Sequence, residues 1–96
     1  MKELKFKNRV FKEGRNLTVR RGVKWDGEVE AIICTLEINH VYLQTVVMRF
    51  ADLTDDDLAY EHDEGCRTVK GLLAIMYEVY PGFDRREIVT LVSFEM

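Results

Sequence analysis

Hydrophobic and polar positions divide the chain into four strand-like segments and one helix-like segment. Alternating or Val-, Tyr- and Thr-rich stretches predict β-strands over residues 17–21, 28–36, 41–50 and 87–95. The Asp26-Gly27 pair predicts a tight turn between the first two strands, and Asn39-His40 is expected to interrupt the chain before the third. After Gly65, one helical face is predicted from the spacing of Val69, Leu72, Leu73, Met76, Val79 and Tyr80.

The helical region has local signals for where it begins and ends. Thr54 and Asp57 resemble a capping box, which predicts a short helix over residues 55–61. Tyr80-Pro81-Gly82 is expected to end the longer helix, because Pro restricts the preceding residue and Gly permits a left-handed exit. With too few crossover helices for a parallel sheet, the pattern favours an α+β fold with a curled or barrel-like sheet.

Length and composition indicate one globular domain over residues 1–96. Apolar residues make up 47% of the 96 residues and charged residues 32%, which excludes a disordered chain. The longest apolar run, residues 72–77, is far shorter than the ~20 residues of a membrane span. The N-terminus lacks the apolar run of a secretory signal. We therefore expect a soluble, cytoplasmic protein with free thiols, no membrane association and no obligate protein partner.

Charge is divided unevenly along the chain. Residues 1–25 hold nine Lys or Arg against two acids, a balance of +7, whereas residues 26–96 have a balance of −10. A basic segment on an acidic body can present a positive surface to a polyanion. The alternative is that the basic segment balances acidic loops within the fold, or that its charges keep a strand edge solvated.

The basic segment contains the candidate ligand-binding residues Lys12, Arg15, Arg20, Arg21 and Lys24. An arginine fork can hold two phosphate oxygens and can also stack on a base. In an extended strand Arg20 and Arg21 point to opposite faces, so at most one of them shares a cleft with Thr18. Trp25 and Tyr60 are candidate stacking surfaces for a base, with core packing as the alternative for each.

Metal ligation is not indicated by the spacing of acids, histidines and cysteines. The acids at residues 55–57 and 61–64 lack the glycine and the alternating oxygen ligands of a calcium loop. No zinc motif matches the spacing of Cys34, His40, His62 and Cys66. We therefore expect no metal and no cofactor.

An ordered set of short motifs resembles the ASCH domain of the PUA-like superfamily. The set comprises Phe11, Gly14-Arg15, Thr18-Val19-Arg20-Arg21, Phe50-Ala51-Asp52-Leu53-Thr54, Tyr80-Pro81-Gly82 and Val92-Ser93-Phe94-Glu95. The resemblance implies a small PUA-like β-barrel of about five to six strands with one long and one short helix. It also implies RNA or nucleotide binding in a basic cleft between barrel and helices, with Asn16 and Thr18 beside the basic residues.

One bacterial branch of this family resembles the chain in architecture and is an amidohydrolase that removes the acetyl group from acetylcytidine. Its proposed catalytic set is a Lys, a Thr and a Glu. The resemblance carries the Thr to Thr18 and the Glu to Glu61, with Glu64 as a rival, but Asn16 stands at the Lys position. An amide cannot titrate as a base.

The sequence therefore leaves three functional classes open. RNA or nucleotide binding is the leading hypothesis, an amidohydrolase using Thr18 and Glu61 is the alternative, and a protein-interaction adaptor with an acidic face is the third. The first two require Arg15 and Glu61 to come together at the mouth of the sheet.

Overall fold

The computed structural model describes residues 2–4, 11, 13–23, 28–34 and 38–95, and the side chains at 11, 13–23 and 41–95. The strands are β1 (Lys2–Leu4), β2 (Arg15–Arg21), β3 (Glu28–Cys34), β4 (Ile38–Arg49) and β5 (Ile88–Glu95). The helix α1 spans Val69–Val79, and three short 3-10 turns lie between β4 and α1: Phe50–Asp52, Asp56–Leu58 and Glu64–Cys66.

The strands form one sheet in the order β1-β3-β4-β5-β2. β3, β4, β5 and β2 are antiparallel neighbours, whereas β1 pairs with β3 in parallel. The predicted α+β class is therefore confirmed. Among the described residues, no helix has the length and apolar character needed to cross a bilayer.

The predicted closed barrel is wrong for the part of the chain that the structure describes. β1 and β2 lie at opposite edges of the sheet. The outer edge of β2 is engaged by another segment, because Leu17 forms an isolated parallel bridge with Glu61 and the His62 N–H donates to the Leu17 carbonyl at 3.0 Å. This hydrogen bond uses a backbone carbonyl that a closing strand would need.

The predicted short helix is also wrong in length. The capping box itself forms, since the Thr54 N–H donates to Oδ2 of Asp57 at 2.8 Å and the Asp57 N–H donates to Oγ1 of Thr54 at 3.4 Å. Only the 3-10 turn Asp56–Leu58 follows. Three residues later Glu61 pairs with β2, and this extended pairing prevents the helix from continuing.

Strands form at all four predicted regions, but β1 was not predicted and one expected interruption does not occur. β4 runs through Asn39 and His40, which pair with Ile33 and Ile32, so the expected interruption is wrong. The ladder of backbone hydrogen bonds with β3 overrides the low strand preference of asparagine. The predicted turn at Asp26-Gly27 lies outside the described residues.

The helix α1 forms as predicted and covers one face of the sheet. Thr68 begins it by accepting a hydrogen bond from the Gly71 N–H at 3.1 Å, and Gly82 follows it with a φ of 83°. Leu72 and Met76 are its buried residues. They belong to a core cluster with Leu17, Val19, Phe50, Leu53, Leu58, Cys66, Phe83, Val89 and Leu91.

The second face of β5 is buried as well. Thr90, Val92 and Phe94 are almost fully inaccessible, and the Phe11 ring packs 6.0 Å from the Phe94 ring. β5 is therefore buried on both faces. Because β5 lies between β4 and β2, it anchors the strand that carries the candidate site.

Candidate functional site

A cleft of about 370 Å³ lies along the outer edge of β2, between this strand and α1. Its polar lining consists of Thr18, Arg20, Glu61, His62, Asp63 and Glu78. Its remaining lining is contributed by Val19, Cys66, Leu72, Ile75, Met76, Val79 and Tyr80. One side of the cleft is therefore polar, and the helix supplies an apolar wall.

Only one of the two adjacent arginines of β2 lines this cleft. Thr18 and Arg20 lie two residues apart on β2 and both line it, whereas Arg21 does not. Nε of Arg21 instead forms an ion pair with Oε1 of Glu87 at 2.7 Å, and its guanidinium lies 5.8 Å from the centre of the Tyr80 ring. The expectation that only one of the two adjacent arginines accompanies Thr18 is confirmed.

Glu61 places a buried carboxyl group in the cleft. The residue is 2% exposed, whereas the side chain of Glu64 is 90% exposed, so Glu61 rather than its rival faces the cleft. Burial raises the pKa of Glu61 to about 8, and the charge of Asp63 acts in the same direction. The Asp63 N–H and the charge of Arg20 act against this rise in pKa. Glu61 is therefore mainly a neutral acid at neutral pH.

Arg20 and Cys66 also respond to burial beside this carboxyl group. Desolvation lowers the pKa of the Arg20 guanidinium, while Tyr80 and Glu61 act to raise it. Burial raises the pKa of the Cys66 thiol to about 12, and the charges of Glu61 and Asp63 contribute to the rise. A thiol with this pKa is protonated at neutral pH and is a poor nucleophile.

Arg15 lies close to the Glu61 segment but outside the cleft. Its guanidinium carbon is 4.6 Å from the centre of the Tyr60 ring, which directly precedes Glu61 in the chain. Arg15 and the Glu61 segment therefore come together at the edge of β2. Arg15 itself lines a second groove with Tyr42, Gln44, Ser93, Phe94 and Glu95.

Asn16 is fully buried and lies outside the lining of both grooves. Its Nδ2 atom donates a hydrogen bond to the Gly14 carbonyl at 3.1 Å, so it supports the backbone before β2. Lys12, Lys24 and Trp25, the other candidate binding residues, lie outside the described residues.

Within its described lining the cleft is not basic. Arg20 is accompanied by the carboxyl groups of Glu61, Asp63 and Glu78. The expected concentration of positive charge is absent from this lining, because Arg15 lines the second groove and Arg21 pairs with Glu87. Leu17 is the β2 residue that pairs with Glu61. Outside the cleft, the arginine closest to Leu17 in the chain is Arg15, and its guanidinium packs on the Tyr60 ring.

Sequence reasoning missed the part played by His62. It considered this residue only as a metal ligand, yet His62 is 8% exposed and its Nε2 atom lies 3.3 Å from Oε1 of Glu61. Adjacency to Glu61 was the available signal, but burial of both side chains was not readable from the chain. Among the described side chains, no group of three or more His, Cys, Asp or Glu residues is arranged to hold a metal ion.

No protein-family model, curated protein or solved structure matches this chain. The resemblance to ASCH domains therefore stays a prediction based on the ordered motifs.

Proposed function

We propose that the cleft binds a base of RNA or of a nucleotide. The observation that carries the proposal is the meeting of Thr18, Arg20 and Glu61 with an apolar helical wall in one cleft of about 370 Å³. This volume is within the range of small-molecule sites, which combine apolar walls with a few polar groups. A nucleobase has two apolar faces and an edge of hydrogen-bonding groups, and both features suit such a site.

The protonation states of the polar residues in the cleft favour binding of an uncharged ligand group. Glu61, with a pKa of about 8, can both donate and accept hydrogen bonds at neutral pH, whereas Arg20 only donates. The edge of a base offers donors and acceptors in a plane. Phosphate would meet the carboxyl groups of Asp63 and Glu78 in the same cleft, so we assign the cleft to the base.

Arg15 is the group to which we assign a phosphate contact. Its guanidinium is held over the Tyr60 ring at 4.6 Å, which orders it at the surface. A guanidinium group that is already ordered loses less conformational entropy when it binds phosphate. Tyr60 is 47% exposed and so is also available to a neighbouring base.

Amide chemical-shift mapping with nucleosides and short mixed oligonucleotides tests this division of roles. Arg20→Ala should abolish nucleoside binding. Arg15→Ala should leave nucleoside binding intact, weaken oligonucleotide binding and reduce the slope of log affinity against log salt by about 0.7. Arg86→Ala is the matched control, because Arg86 is an exposed arginine paired with Asp84 at 2.8 Å. The proposal fails if no ligand shifts the residues of the cleft, or if Arg86→Ala has the same effects.

An amidohydrolase acting on acetylated cytidine is the second candidate. Thr18 and Glu61 line the same cleft, and a pKa of about 8 suits Glu61 to proton transfer near neutral pH. Water would add to the acetyl carbonyl, the C–N bond would break, and acetate and cytidine would leave. Incubation with acetylcytidine tests this reaction. Acetate release that is lost in Glu61→Gln would favour the enzyme, and no release would exclude it.

A further inference from the structure

His62 lies against Glu61 inside the cleft. Nε2 of His62 and Oε1 of Glu61 are 3.3 Å apart, and both side chains are buried. The ring of Phe11 packs against the imidazole with 5.4 Å between ring centres. The imidazole is therefore held between an aromatic ring and a carboxyl group, and its orientation is fixed by packing.

We propose that His62 is a positioning residue that makes Glu61 a hydrogen-bond donor to the ligand. In this arrangement the neutral imidazole carries its proton on Nε2 and donates it to Oε1 of Glu61. The carboxyl proton then resides on Oε2. The inference rests on the proposed function, because it assigns Glu61 the role of hydrogen-bond donor in the base-binding cleft.

The backbone supports this placement of the proton. The N–H of Asp63 also donates to Oε1 of Glu61, at 3.4 Å. An oxygen that accepts from a fixed backbone N–H acts as the carbonyl oxygen of the acid, since a hydroxyl oxygen in that position would direct its own hydrogen toward a donor. In the proposed arrangement the donor offered to a ligand in the cleft is therefore Oε2 and its proton.

Burial, more than the surrounding charges, favours the neutral form of Glu61. The titratable and charged groups that face the cleft with Glu61 are Arg20 from β2, His62, Asp63 and Cys66 from the segment before α1, and Glu78 and Tyr80 from α1 and its end. Nε of Arg67 also donates to the Glu61 backbone carbonyl at 3.0 Å. Arg20 favours the ionised carboxylate, whereas Asp63 and burial oppose it. The balance raises the pKa of Glu61 to about 8.

A fixed donor selects ligands by the ring nitrogen that they present. Adenosine presents an unprotonated ring nitrogen that accepts a hydrogen bond, whereas inosine carries a hydrogen at the same position. Cytidine and uridine differ in the same way. The cleft should therefore favour the member of each pair that has the acceptor nitrogen, and this preference should reverse as Glu61 ionises, because a carboxylate only accepts hydrogen bonds.

Binding of both nucleosides of each pair to the wild type, His62→Gln and His62→Leu tests the inference. We expect the wild type to prefer the acceptor ligand by about tenfold near pH 7, the effect of one buried hydrogen bond, and to lose and then reverse this preference as the pH rises above about 8. His62→Gln retains an N–H donor and should retain the preference. His62→Leu leaves only the backbone N–H of Asp63 on Oε1 and should weaken the preference.

The wild-type protein offers a test that does not depend on a folded variant. The ¹⁵N spectrum of the His62 imidazole should show the neutral tautomer with hydrogen on Nε2, and hydrogen on Nδ1 would overturn the inference. Unchanged preference and pH profile in a folded His62→Leu variant would also overturn it. Failure of the wild type to bind any nucleoside would instead reject the proposed function.

Discussion

The burial of Glu61 predicts a specific dependence of stability on pH. A carboxyl group with a pKa of about 8 in the folded protein and about 4.5 in the unfolded chain binds its proton more tightly when folded. Its contribution to stability is fully present below the unfolded value and is lost as pH rises through the folded value. Between these limits the free energy of unfolding falls by about 1.4 kcal/mol per pH unit.

The expected magnitude follows from the width of this window. Raising the pH across the whole window lowers the free energy of unfolding by about 5 kcal/mol through Glu61. Raising it from about pH 5 to about pH 8.5 lowers this free energy by about 4 kcal/mol. Glu61→Gln replaces the neutral acid with an amide of similar shape that cannot ionise. The difference in unfolding free energy between wild type and Glu61→Gln should therefore shift by about 4 kcal/mol in favour of the variant over that range.

Urea denaturation of the two proteins at several pH values measures this difference directly. Glu64→Gln is the matched control, because its side chain is 90% exposed and its carboxylate stays solvated in both states. The control should follow the wild type throughout. Parallel pH profiles for wild type and Glu61→Gln would refute the burial of an ionisable group at this position.

Three further substitutions test the packing around the cleft by chemical denaturation. Met76→Ala removes a side chain that is 2% exposed and should cost about 2–5 kcal/mol, whereas a loss below about 1 kcal/mol would place Met76 outside the core. Gly71→Ala should destabilise the protein although alanine favours helices by about 1 kcal/mol, because the new methyl group would meet the Gly65 carbonyl; a stabilised variant would contradict this contact. Thr68→Ala should cost about 1 kcal/mol through loss of the helix cap, and an unchanged denaturation midpoint would show that the cap contributes nothing.

Local features of the fold could be read from the chain. The helix α1 follows from the apolar spacing of residues such as Leu72 and Met76, and it ends at Tyr80-Pro81-Gly82 as expected. The two buried sides of β5 follow from its alternating pattern. These features depend on neighbours within a few residues, so the sequence contains the relevant physical information.

The candidate site could be predicted only in part. Strand geometry establishes that Arg20 and Arg21 diverge, but the choice of Arg20 for the cleft depends on the position of α1 and on the Glu87 partner of Arg21. Asn16 was predicted to join the ligand-binding residues, and the structure buries it against the backbone at Gly14. The choice of Arg20 has no local signal because it depends on distant segments. The hydrogen bond from Asn16 to Gly14 is local, but the burial of Asn16 depends on the strands packed around it.

The sequence by itself determined the α+β class, the long helix and the alternation that separates neighbouring arginines. Only the tertiary structure decided that the sheet leaves β1 and β2 unjoined within the described residues, and that Glu61 lies buried against His62 at the edge of β2. The physical reason is how far apart in the sequence the interacting residues lie. Secondary structure follows hydrogen bonds and packing within a few residues, whereas the pairing of Leu17 with Glu61 and the desolvation that raises the Glu61 pKa arise only when distant segments meet.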